Sequence, residues 1–449
     1  MSLHRSWSSS WLGTVSALAI MVSAVGPAWG AEGPASSTFA EAADGWTRPV
    51  IVSDPGSWVE FSTIASDSAG GLAAAWTGDQ HGIHVRRRSA DGVWGETASL
   101  DAFTREYVQV REDPHGSVCI LYSVFYPTSE VRVACAAHDA NFTEPITLAT
   151  VGRNGTEFHL GVDAQGSWVA AWHQRDPQGV GRIAVSRRTD GVWGPARFVT
   201  NPRWRVRDFD LAASSQGTFM FAWVASPASN PAAEARLWTR SLVSDSWGDP
   251  VKASRPGARW PRLAASPEGS FDLAWFSHRH GERRIGYRHY GPLGWGPERT
   301  ITRFQQGESA SGPQIASGGH DTCVVTYYRW GKRADPRGLN TTVRHNGRWQ
   351  PAQVVTPARG YSDPPALLVT QSGTVWQIWY WKRRDWQIAE FWTVEARSYR
   401  PSQGWSALLK LTGPTTSDWN PLTAILESPE RPAVNWITDA GQAAYSESS

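Results

Sequence analysis

Tryptophan returns along this chain at intervals of 48 to 56 residues, each time after a turn and before an extended segment. The series is Trp46, Trp94, Trp193, Trp247, Trp295, Trp349 and Trp405, with Phe142 in the place between Trp94 and Trp193. Eight occurrences at such even spacing mark a repeat architecture, in which each unit buries its apolar face only against its neighbours.

A second signature lies inside each interval. A glycine is followed six positions later by an aromatic residue, as in Gly70 and Trp76, Gly116 and Tyr122, Gly166 and Trp172, Gly217 and Trp223, Gly269 and Trp275, and Gly373 and Trp379. Tyr327 and Trp436 fill the same slot less regularly. Apolar residues here recur at every second position, which is strand period. A third segment follows, rich in Arg and β-branched residues, as in Ile83-His84-Val85-Arg86-Arg87. It ends at Asp91-Gly92, Asp190-Gly191 or Asn346-Gly347, dipeptides that favour the positive φ angles of a two-residue hairpin turn. With one strand before the glycine, each unit reads as four antiparallel strands, A to D. Repeated four-stranded units predict a β-propeller.

The expected fold is all-β, with eight blades across residues 46–449 and seven blades as the alternative. Trp46 to Ser53 reads as a D strand with no A, B or C before it, and Asn420 to Ser446 as A, B and C strands with no D after them. Pairing the two closes the ring and removes exposed sheet edges.

The first 30 residues read as a signal peptide: Arg5, an apolar run from Trp11 to Val25, and Ala28-Trp29-Gly30 before Ala31. Residues 31–45 read as a short flexible segment. The run is too short to span a membrane, which takes about 20 residues, so the expectation is a secreted, extracellular protein without membrane insertion. A net charge of +2 provides no global field for nucleic acid. The bias to Arg, Ala, Gly and Trp resembles that of exported proteins of high-GC bacteria. Of three cysteines, Cys119 and Cys135 fall on neighbouring predicted strands, symmetric about a turn at Pro127. Export permits a disulfide between them, and Cys323 is left as a buried hydrophobe.

The Asp-Gly-Val-Trp-Gly turns at Asp91 and Asp190, with short strands and Trp after a Gly turn, resemble the Asp-box turns of sialidase-like propellers. The spacing Ser89-Ala90-Asp91-Gly92-Val93-Trp94 is two residues shorter than an Asp box, and no Arg-Ile-Pro segment is present. No sialidase catalytic residue is therefore carried over to any position. The resemblance implies that the D-to-A and B-to-C loops surround the channel mouth on one face.

On that face, ligand-binding candidates are Arg105, Arg153, Trp204, Arg205, Arg207, Trp260, Arg262, Tyr361, Trp381, Trp386 and Trp419. Aromatic rings offer flat apolar faces to sugars, and Arg offers planar forks for carboxylate or sulfate. The competing reading is that these rings plug the channel while Arg–Asp pairs solvate its rim. His173, His278, Arg329 and Tyr380 share equivalent positions near the end of strand B and are the catalytic candidates, as acid, base and charge stabiliser. His278, His280 and His289 are too few and too loosely placed to predict a metal site, and no cofactor motif is present. The leading expectation is a monomeric, non-catalytic propeller that binds carbohydrate, with acidic glycans foremost. The others are a glycoside hydrolase or polysaccharide lyase, and a protein-interaction scaffold; fold alone does not choose among them.

Overall fold

The computed structural model describes residues 45–448, apart from 68–69, 79–81, 102–103, 125–127, 139, 152–156, 332–337, 357–360, 363–364, 384–390, 413–421 and 439–440. The expected signal peptide lies outside these residues. Within them every regular element is a strand. The strands form eight antiparallel sheets. The innermost strand of each sheet packs beside that of the next through all eight steps, from Phe61–Ser66 in blade 1 to Thr423–Ser428 in blade 8 and back to Phe61–Ser66. The molecule is an eight-bladed β-propeller.

Closure occurs at the eighth blade. Val50–Ile51 pairs antiparallel with Ala443–Glu447, Val50 opposite Tyr445 and Ile51 opposite Ala444. Trp46 bridges Ser448, and the Thr47 N–H donates to the Glu447 carbonyl. The strand before blade 1 thus supplies strand D of blade 8.

The aromatic slot of strand B carries the packing. Trp76, Tyr122, Trp172, Trp223, Trp275, Tyr327, Trp379 and Trp436 are all buried. The apolar clusters straddle consecutive blades: one joins Val169 and Ile183 of blade 3 to Phe209 and Trp223 of blade 4, another Ile285 and Tyr287 of blade 5 to Val325 and Tyr327 of blade 6. A large ring between two sheets removes roughly 150–250 Å² from water, and one sheet alone has nothing to set against it.

The strand-D tryptophans are mostly less buried than the strand-B rings. Trp46 is buried, but Trp94, Trp193, Trp247, Trp295, Trp349 and Trp405 are half-buried at the outer edge, where Arg side chains cover some of them, as Arg240 covers Trp247 at 5.0 Å. A register shift of one residue follows the ring: Arg188 opposes Trp193 while Ala184 opposes Phe198. The same shift follows Trp247 and Trp349. It is a β-bulge, which accounts for the small or polar residue after each Trp. The turns before these rings follow the sequence in two of three cases. Asp190-Gly191 and Asn346-Gly347 have positive φ at both residues, whereas at Asp91-Gly92 only the glycine does.

Cys119 and Cys135 are directly opposed on Val118–Val124 and Ser129–Ala136 and are joined by a disulfide. Cys323 is a buried free thiol.

Candidate functional site

Antiparallel order places the B-to-C and D-to-A connections on one face and the A-to-B and C-to-D turns on the other. At the first face, strand A of blades 4 and 5 is irregular. In Trp204–Ala213 the register with Thr218–Pro227 shifts between Val206 and Asp208. In Ala258–Ala265 it shifts between Arg259 and Arg262, and Trp260 takes φ +51°, an unfavourable angle for a bulky side chain. Bulges of this kind re-aim side chains at sheet ends. Here they set Arg207, Asp208, Trp260 and Arg262 at the channel mouth.

The charges there interlock between blades. Burial raises the Asp208 carboxyl above its ordinary range, and the neighbouring Glu157 raises it further; Arg262, the Trp260 N–H and Arg207 oppose the shift. Burial also lowers the His173 imidazole, against the pull of Glu157. Its Nε2 lies 3.3 Å from the Val206 carbonyl of blade 4. Gly181 leaves room for this ring, since a Cβ there would stand 2.5 Å from Nε2. Deeper in the channel, His159 lies 3.4 Å from Asp210 and 3.8 Å from Glu157, and Asp210 Oδ2 accepts from the Leu263 N–H at 2.8 Å. Arg111 is exposed within the channel, where the density of surrounding protein lowers its pKa, against Asp210.

The candidate ligand residues therefore divide. Arg207 donates to the Pro231 carbonyl and lies 3.4 Å from Ser226 Oγ. Arg262 donates to the Pro261 carbonyl at 2.8 Å. Arg205 is half-buried in the same strand as Arg207. Trp204 leans on Trp238 at 5.4 Å and Trp260 on Phe276 at 5.4 Å, so each presents only part of its ring to solvent. Trp381 is a correction. It is buried with Leu339, Val355 and Trp379 between blades 6 and 7, because residues two apart on a strand share a face and Trp379 faces that core. Arg105 and Tyr361 lie in strands Thr104–Glu112 and Tyr361–Ser362; their side chains, and Arg153, Trp386 and Trp419, fall outside the described residues.

The four catalytic candidates have separate partners. Arg329 pairs with Glu308 at 2.7 Å. Buried Tyr380 accepts from the Ile437 N–H at 3.3 Å. Burial lowers His278, with Arg283 and Arg259 adding to the shift. His173 reaches the bulged strand of blade 4 through Val206, and His278 lies against that of blade 5, its N–H donating to the Gly257 carbonyl. The histidines weighed for a metal also separate: His278 opposes Arg283 near one end of its hairpin and His289 opposes Asp272 near the other, while His280 occupies the connecting turn. Among the described residues no group of three His, Cys, Asp or Glu side chains is arranged to hold a metal ion.

Of two exposed rings on this face, sequence reasoning places Trp58 in a D-to-A connection and misses Trp330. Trp58, 59% exposed, precedes strand A of blade 1, and Trp330, 40% exposed, ends strand B of blade 6. They are the only exposed tryptophans among the described residues, and both belong to the face of Arg207 and Arg262. Trp330 stands three positions beyond the strand-B slot, outside the packing pattern, and that offset is its signal.

The fold and this mouth place the chain in the class of eight-bladed propellers with a bulged, mixed-charge channel rim. No known protein family matches its sequence, and no curated protein does. Its shape has solved counterparts. The polysaccharide lyase Uly1 aligns with TM-score 0.50 at 9% identity, covering 82% of this chain and 99% of the lyase. An ulvan lyase of family PL25, solved with a glucuronic acid–sulfated rhamnose ligand, aligns at 0.45 and 11% identity, covering 83% of this chain and 94% of its own. The Hadza microbial sialidase Hz136 aligns at 0.39 and 12% identity, covering 89% and 94%.

Proposed function

We propose that this propeller binds carbohydrate, with a preference for acidic glycans, at the face formed by its B-to-C and D-to-A connections. The observation that carries the reading is the shared position of Trp58, Trp330, Arg207 and Arg262 on that face. Exposed indoles offer flat apolar faces to sugar rings, and guanidinium forks recognise carboxylate and sulfate. Propellers of similar shape include lyases and a sialidase, so glycans are the first ligands to test. The reading takes the protein as exported, for which the apolar run from Trp11 to Val25 and the Cys119–Cys135 bridge are the support.

The test is titration calorimetry with polyuronates, sulfated polysaccharides, sialylated oligosaccharides and neutral glucans. Saturable binding to an acidic polymer is expected, weakened at least tenfold by Trp330→Ala and by Arg207→Ala with Arg262→Ala. Absence of binding across the panel overturns the proposal.

One observation favours catalysis as a second reading. Burial, with Glu157 adding to it, raises the Asp208 carboxyl near an imidazole, His173, whose pKa burial lowers, an arrangement suited to proton transfer. New reducing ends or unsaturated uronate released from the same polymers, and lost in Asp208→Asn, would establish it. Binding without product over prolonged incubation leaves the non-catalytic reading.

A further inference from the structure

The slot three positions before the strand-B aromatic holds Ala73, Cys119, Val169, Met220, Val324, Trp376 and Ala433 in seven blades, and Asp272 in blade 5. Asp272 is 1% exposed. A buried carboxylate is costly unless fully hydrogen-bonded. This one accepts from the Tyr287 hydroxyl, from His289 Nδ1 at 2.8 Å and from Ser317 Oγ at 2.7 Å, with Arg344 of blade 6 at 3.4 Å. Burial raises its pKa, but those four partners outweigh it and leave the pKa lowered.

Part of this network recurs at the seam between blades 8 and 1. There Arg88 lies 5.4 Å from the Tyr445 ring centroid, and Tyr445 donates to Glu447. Arg344 lies 5.6 Å from the ring centroid of Tyr287 in the same relation. Both sites join a strand-C tyrosine to a carboxylate and to an arginine from the next blade. At the seam the carboxylate is on strand C, at Glu447. In blade 5 it has moved to the facing position on strand B, and the strand-C place carries His289. The imidazole is thus surplus to the tyrosine–acid–arginine lock. Its Nδ1 is committed to Asp272, which leaves Nε2 on the far side of the ring as an acceptor.

His289 lines a cavity of about 530 Å³ on the face opposite the bulged mouth, with Asp272, Glu268, Ser270, Asp321 and Arg344 also in its wall. The volume falls within the range of small-molecule sites, about 300–1,000 Å³. Three carboxylates stand against one guanidinium. Arg344 is already engaged by Asp321 at 2.5 Å, and Glu268 is exposed at the rim. The excess charge is negative, and hydroxyl groups and an imidazole acceptor accompany it.

We propose that this cavity is a second ligand site, which takes a small polyhydroxylated amine of the amino-sugar class. The ammonium is held by Glu268 and Asp321, and a ligand donor is received by His289 Nε2. The test uses the whole propeller with glucosamine, glucose and N-acetylglucosamine, followed by ligand-observed NMR and calorimetry, with thermal unfolding as the fold control. Glucosamine is expected to saturate and to bind at least tenfold more tightly than either neutral sugar. His289→Ala should weaken it at least tenfold. Glu268→Gln, a change at an exposed rim position, should weaken it severalfold with an unchanged melting temperature. Trp330→Ala, on the other face, should leave it as in the parent protein. Equal binding of glucose and glucosamine, no binding of glucosamine, or full affinity in Glu268→Gln overturns the proposal; that last variant decides the matter if His289→Ala fails to fold.

Discussion

Arg88 of the first blade lies over the ring of Tyr445 in the last and reaches two carboxylates there, Glu427 and, at 3.1 Å, Glu447. The arginine is nearly buried. Removing one partner of a buried ionic network strands the others, at about 3–5 kcal/mol. Arg88→Ala is therefore expected to lower unfolding free energy by that order in chemical denaturation. Arg303→Ala, which removes the exposed pair with Glu282, should change it by less than about 1 kcal/mol.

Glu112 provides a pH dependence. It is 7% exposed, and burial, with Asp67 and Asp113 adding to it against Arg87, pushes its carboxyl up to about 8. The folded state takes up a proton that the unfolded chain releases near its ordinary value. This stabilisation is full at acid pH, below the unfolded value, and is lost as pH rises through 8. Stability should fall between about pH 5 and pH 8 with a limiting slope of about 1.4 kcal/mol per pH unit from this one group, and level off above. Glu112→Gln should flatten that slope and be the more stable form at pH 9, as measured by unfolding in matched buffers.

Gly286 faces Trp275 across the sheet, and a Cβ on it would lie 2.4 Å from the indole. Gly286→Ala must displace a fully buried wedge between blades and should cost about 1–3 kcal/mol or more. Gly95→Ala, where the nearest atom is 3.6 Å away, serves as the control and should be tolerated.

Cys119 and Cys135 close a loop with a sequence separation of 16. In the chain-entropy account a loop of this size contributes about 3 kcal/mol. Thiol reduction should lower the denaturation midpoint accordingly, and in the Cys119→Ala/Cys135→Ala protein reductant should have no further effect.

The wheel was legible because its packing is periodic. A ring at the same place in every unit has the same neighbours, so Trp76 and Trp436 announce one environment. The seam and the disulfide followed from strand count and register alone. The sites were legible only in part. Asp208 and Glu157 come from different blades, and nothing in their spacing shows that they interact. Trp381 shares the face of Trp379, and strand period alone would have assigned it to the core. Asp272 stands out once the blades are aligned slot by slot, as an acid where the other seven carry apolar residues, but its partner Arg344 is on the next blade and requires the assembled interface.

Val50 and Ile51 leave the ribosome long before Ala444 and Tyr445, their partners in the eighth sheet. Until the final blade is made, the first strand has nowhere to dock, and afterwards the last sheet keeps an open rim until that strand arrives. Fastening within one molecule therefore competes with fastening between two. Crowded nascent chains are the circumstance in which one copy's leading strand can complete its neighbour's wheel.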